Sequence, residues 1–420
     1  MKLWPVIKRT LLILLCALLL TQSVFIPQDT TDQVRQYTGS IEFNYLKWIL
    51  DSLTLKVGES GVDISNALNS ETQSRLVLKY FALVKSQESL AAKIEQIYAD
   101  PAVKDPQQTA AVELSQQKQY QTLLNELSPV VEEILQNQVT QILAESGLAL
   151  GGQTIPSLLY HTSPLPKALI VSPRSVIHQE VDISLLADLS LEQITQLEDK
   201  VSKQLNVSVL VVDIGGVGIY PTMVMQSSDA VWVIDTIAHE WTHNFLSLRP
   251  LGINYDTNNE LRTMNETTAE IVGDEISKIV IDRYYPELKS ASTSPTQSQY
   301  GLADTSNAAG TFDFNTEMHT TRVVADEMLN EGNIKGAEDY MEQRRQVFVA
   351  HGYMIRKLNQ AYFAFYGAYA ESSGGAAGEN PVGPAVRALR AQSPSLAAFL
   401  NRISWMTSFS NLQSALKTAN

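Results

Sequence analysis

The hydrophobic period of the chain changes partway along, and this narrows the possible folds more than any single motif. From residue 30 to about 148 no strand pattern occurs, and stretches such as SRLVLKYFALVKSQESLAAKIEQIY repeat apolar side chains at three- and four-residue spacing, the period of an amphipathic helix. Two prolines in ADPAVKDPQQ interrupt it. Beyond GGQTIPS (151–157) the texture differs. KALIVSPR and HQEVDISLL read as strands, LSLEQITQLEDKVSKQL as an amphipathic helix, and VSVLVVDIGGVGIYPTMVM as one or two strands with a glycine bend. Helical patterns follow at about 262–284, 316–330 and 335–370, with a polar loop over 290–313 and a glycine-rich break, SSGGAAGENPVGP, before short closing helices. A small mixed sheet followed by helices, without regular alternation, predicts an α+β fold. The expected division is a helical N-terminal region (28–150), a sheet-containing domain (151–285) and a mainly helical C-terminal region closing a cleft (286–420).

Residues 1–27 read as a targeting segment. Lys2, Lys8 and Arg9 precede LLILLCALLL (11–20), and Asp29 and Asp32 follow it, the pattern of a secretory signal peptide or an uncleaved signal anchor. Thr21-Gln22-Ser23 is a poor cleavage site, so both forms stay open. The expectation is an extracytoplasmic protein, secreted or held at the membrane by this segment if it is uncleaved. The single cysteine, Cys16, lies inside the apolar run, so the exported part has no disulfide and relies on its core. A net charge of −14 argues against nucleic acid or an anionic membrane surface as the main partner.

The stretch AHEWTHNF (238–245) carries the chemistry. On a helix, His239 and His243 are one turn apart and point the same way, so two imidazoles can grip one zinc ion. Glu240 is placed beside the metal to take a proton from its water. Ile234, Ile237, Trp241, Phe245 and Leu248 form an apolar stripe on the opposite face, which anchors the helix. In MNETTAEIVGDE (264–275), Glu266 offers a third ligand and leaves a fourth position open, as a catalytic site requires. Glu270, one turn on, suits accepting a ligand imidazole N–H.

HEWTH with downstream NETTAE resembles the gluzincin metallopeptidases, which pair His-Glu-x-x-His with Asn-Glu-x-x-x-(Asp/Glu) on the following helix. The resemblance covers roughly 229–275 and implies a zincin-like domain. It makes His239, His243 and Glu266 the Zn2+ ligands, Glu240 the general base and Glu270 the supporting acid, with a peptide or protein as substrate. GGVGIYPTMV lacks the acid with which zinc aminopeptidases of that group capture a free amine, while its strand could still pair an extended peptide. An oxyanion donor is also needed. If 335–370 is helical, Asn359, Tyr362, Tyr366 and Tyr369 share a face, and Tyr366 is the candidate, unless these tyrosines simply pack. His319 is a second candidate. The resulting expectation is an extracytoplasmic zinc peptidase. The rival is a non-catalytic extracellular binding module that retains the metal site.

Overall fold

The computed structural model describes residues 29–59, 67–99, 103–151, 153–290, 312–353, 355–366 and 381–417. The segment read as a leader (1–27, with Cys16), most of the 290–313 loop, and Tyr369 lie outside the described residues. Among the described residues no helix is long and apolar enough to cross a membrane. The chain divides into two compact units, 1–41 and 42–420. The first contributes helix α1 (Thr30–Thr38). Among the described residues, every other element belongs to the second.

Its N-terminal part is helical, as the period predicts: α2 (Tyr45–Glu59), α3 (Ser70–Ala99), α4 (Pro106–Thr109) and α5 (Ala111–Glu145). A two-stranded hairpin follows, β1 (Ala149–Leu150) with β2 (Gln153–Thr154). Next come β3 (Tyr160–Thr162), β4 (Lys167–Pro173) and β5 (Val181–Leu185). Helix α6 (Leu191–Leu205) starts at a reciprocal capping box between Ser190 and Gln193 and ends at Asn206, which takes the left-handed conformation with φ 55°. Strands β6 (Val207–Asp213), β7 (Gly216–Val217) and β8 (Thr222–Val224) complete the strand region.

The other six strands form two separate three-stranded sheets. Central β4 pairs antiparallel with β5 and β6, placing Leu169 opposite both Ile183 and Val211. In the other sheet β3 is parallel to β8, and β8 is antiparallel to β7, so β7 is an edge. The glycine bend therefore moves the chain from one sheet to the other: β6 ends at Asp213 and β7 begins at Gly216.

Helices α7 (Ala230–Leu246), α8 (Pro250–Ile253) and α9 (Asn259–Tyr284) come next, then α10 (Phe314–Asn330), α11 (Ile334–Ala350), α12 (Gln360–Tyr366), α13 (Val382–Gln392), α14 (Leu396–Ile403) and α15 (Phe409–Lys417). One core joins Leu135 and Ile142 of α5, Ile237 and Trp241 of α7, Met264 and Ile276 of α9, and Phe399 of α14. A second joins Ile170 and Leu210 of the β4 sheet to Met318, Phe348 and Phe363.

The helical stretch expected over 335–370 is broken. Helix α11 stops at Ala350, and Gly352 takes φ +91°, a conformation that favours glycine. The following loop is held by a long-range ion cluster. Glu198 of α6 is fully buried and accepts from Arg356 Nη2 at 2.6 Å, Lys357 Nζ at 3.0 Å and Val211 N–H at 2.7 Å. A carboxylate removed from water needs such partners, and this requirement overrides the local helical period.

Candidate metal centre

Two consecutive helices build the site. Helix α7 starts at Asp229, whose side chain accepts from Trp232 N–H at 3.0 Å, and α9 starts at Asn258, which accepts from Leu261 N–H at 2.8 Å. The apolar stripe of α7 buries Ile234, Ile237, Trp241 and Phe245. Leu248, expected in that stripe, lies past the helix end and is 61% exposed. Trp241 Nε1 also donates to the Pro156 carbonyl at 2.9 Å, and Asn244 Nδ2 donates to Ile219 O and Thr222 Oγ1. These contacts fix the roll of α7 beneath β7 and β8.

His239, His243 and Glu266 come together, with ligand atoms all within 4.8 Å of one another, as a group that could hold a metal ion. The two Nε2 atoms are 3.1 Å apart, and Glu266 Oε2 lies 3.6 Å from His239 Nε2 and 3.5 Å from His243 Nε2. Ligands about 2.0–2.2 Å from a tetrahedral ion are separated by about 3.3–3.5 Å, so the triangle has the right size. Glu266 Oε2 is buried with no hydrogen-bond partner. A buried carboxylate oxygen without a donor costs several kcal/mol unless positive charge faces it. Two imidazole nitrogens and one acid oxygen form a donor set that suits zinc.

The electrostatics agree with this. Burial opposes charge on both imidazoles, but the surrounding carboxylates outweigh it. Glu266, Glu240 and Asp235 push His239 up to about 9, and Glu266 raises His243 as well. Burial also opposes charge on Glu266, yet the two histidines hold it well below the usual carboxylate range. The field of the site favours added positive charge. Glu240 is raised, chiefly by burial and against the pull of His243 and His239.

Supporting groups only partly follow the sequence expectation. His243 Nδ1–H donates to Asn265 Oδ1 at 2.8 Å, which fixes the tautomer and leaves Nε2 free to bind a cation. The expected acceptor, Glu270, instead accepts from Arg387 Nη2 of α13 at 2.9 Å, although its charge still acts on His239. Burial raises Asp235, one turn before His239, to about 7, and its Oδ1 fits against α9 where Gly273 has no side chain. Tyr255, in the connection between α8 and α9, donates its hydroxyl to Glu266 Oε1 and accepts from Arg262 Nε at 3.2 Å. Burial and the Glu266 charge keep that phenol protonated far beyond the usual range.

Strand β7 passes very close to α7. A Cβ at Gly216 would lie 2.8 Å from Glu240 Cδ, and one at Gly218 would lie 2.7 Å from His243 Cβ. Both glycines are required by this approach.

Tyr366 is not placed with the ligand group. It ends α12, its ring 4.4 Å from that of Tyr362, against the core built on the β4 sheet, and Asp213 and Arg356 are among the charges that act on it. Asn359 does not share a helix face with the tyrosines. It precedes α12, accepts from Tyr362 N–H at 2.9 Å and donates to Val209 O at 3.1 Å. His319 is half-buried on α10.

Asn265 and Asp235 could have been found from helical spacing, one beside Glu266 and one a turn before His239. Tyr255 sits in an irregular connection and has no periodic signal. Comparison of the chain with profiles of known protein families, with curated proteins and with solved structures finds no match to any of them.

Proposed function

We propose that this chain is a zinc-dependent peptidase of gluzincin type that acts outside the cytoplasm on peptide or protein substrates. The observation that carries the reading is the convergence of His239 Nε2, His243 Nε2 and the orphaned Glu266 Oε2, with Glu240 on the adjoining helical position. Zinc held by this set supplies Lewis acidity toward a carbonyl oxygen and toward water. Glu240 accepts the proton of the attacking water and passes it to the leaving amine nitrogen. Burial raises the Glu240 carboxyl in the metal-free site, which makes it the stronger base. Asn265 holds the His243 ring, and the open edge of β7 offers backbone groups to an extended peptide.

The test is zinc quantification with a peptide-library cleavage assay on the full chain. Glu240→Gln is expected to keep one zinc and lose about 100- to 10,000-fold of turnover, while His243→Ala and Glu266→Ala lose the metal. Wild type without stoichiometric zinc would sink the reading. One observation favours a second reading: Glu240 is 8% exposed and packs under Gly216, as in a metal-binding module without turnover. Stoichiometric zinc with equal inactivity of wild type and Glu240→Gln across the library would select it.

A further inference from the structure

We infer that Tyr255 is a positioning residue that makes Glu266 a one-oxygen ligand, an inference that rests on the metal-binding reading above. The two oxygens of Glu266 have different surroundings. Oε2 faces both imidazoles at 3.6 and 3.5 Å and has no hydrogen-bond partner, whereas Oε1 accepts the Tyr255 hydroxyl. A carboxylate can bind a cation through one oxygen or both. Using both takes a further coordination position, which a hydrolytic centre needs for water and the substrate carbonyl. A donor seated on Oε1 withdraws that oxygen and leaves the position open.

Tyr255 is itself aimed. Arg262 Nε donates to the phenol oxygen at 3.2 Å, so the single phenol proton is directed at Glu266. Arg262 lies one turn before Glu266 on α9, and its Nη1 donates to Gln179, which donates in turn to Asp182 Oδ2 at 3.2 Å. A continuous hydrogen-bonded relay therefore joins the third ligand to the start of β5. The His243 ring meets the Tyr255 ring edge-on, 6.3 Å between centroids, so the clamp lies against the ligand triangle.

The experiment compares full-length wild type with Tyr255→Phe. Zinc affinity is measured by competition with a chromophoric chelator, and X-ray absorption reads the coordination shell of the zinc-loaded protein. Wild type is expected to bind one zinc through a single carboxylate oxygen. Tyr255→Phe is expected to bind it about 10- to 100-fold more weakly and to show a second carboxylate oxygen at the metal. If the phenol merely packs, the metal-free variant melts earlier while affinity and shell stay unchanged, and the inference is overturned. Should Tyr255→Phe fail to fold, the zinc-minus-free infrared difference spectrum of wild type decides: a wide carboxylate splitting supports one-oxygen binding, and a narrow one overturns it. Wild type that takes up no zinc removes the metal reading itself, an outcome distinct from any change confined to the variant.

Discussion

At the scale of single residues, a metal ion held by this group would compete with protons for the same lone pairs. An imidazole must be neutral to ligate, yet the carboxylates around His239 keep it protonated up to about 9. Zinc affinity is therefore expected to climb as pH rises toward 9 and to level off above it. This one proton accounts for about a tenfold change per pH unit below that point. Chelator competition between pH 6 and 9, with proton release followed by calorimetry in buffers of different ionisation enthalpy, checks the slope. A flat affinity would contradict the assignment of His239 as a ligand. Part of this residue-level picture can be read from the one-turn spacing of His239 and His243. Its electrostatics also depend on Asp235 and on Glu266, which belongs to a different helix.

At the scale of elements, α7 and β7 act as a pair. Edge strand β7 and the turn that follows it lie on α7 because Gly216 and Gly218 present no side chain there. Gly216→Ala is expected to leave zinc stoichiometry intact and to lower kcat by up to about 100-fold, since displacing Glu240 by an ångström costs that much. Gly218→Val meets the His243 Cβ and is expected to destabilise the fold by about 1–3 kcal/mol. Metal analysis alongside kcat, and denaturant unfolding, check the two in turn. Helices α7 and α9 are legible as helical stretches, and GGVG is legible as a bend, whereas the caps at Asp229 and Asn258 are seen only in the structure. What the glycines accommodate is not legible either, because a close approach between elements leaves no local period.

At the scale of the whole second unit, the N-terminal helices are tied to the strand region through a buried charge. Glu132 of α5 is 2% exposed, accepts from Lys56 of α2 and from Thr162 N–H of β3 at 2.9 Å, and lies 3.3 Å from His161 Nδ1. Burial opposes its charge, but His161 and Lys56 outweigh burial and hold its carboxyl below 4.5. A lowered folded-state value means that the stabilisation is present above the unfolded carboxylate range and is lost as pH falls through the folded value. The stability gap between wild type and Glu132→Gln is therefore expected to be full near neutrality and to close below about pH 4.5. Lys56→Met, which strips one partner from a buried charge, is expected to cost about 3–5 kcal/mol at pH 7. Denaturant midpoints measured across pH test both, and a gap that persists at acid pH would refute the assignment.

The sequence alone determined an α+β succession, a helix carrying two histidines at one pitch, and an acid on the next helix able to reach them. All of these are local periods, and a helix or strand expresses its period wherever it is placed. Tertiary structure decided the rest. It gave Glu270 to Arg387, 117 residues away, and broke the 335–370 stretch so that Glu198 could hold Arg356 and Lys357. It also brought Tyr255 from an irregular connection onto one oxygen of Glu266 and set Glu240 under a glycine strand. Each of these depends on desolvation and close packing between distant segments, whose free energy comes only from the assembled fold.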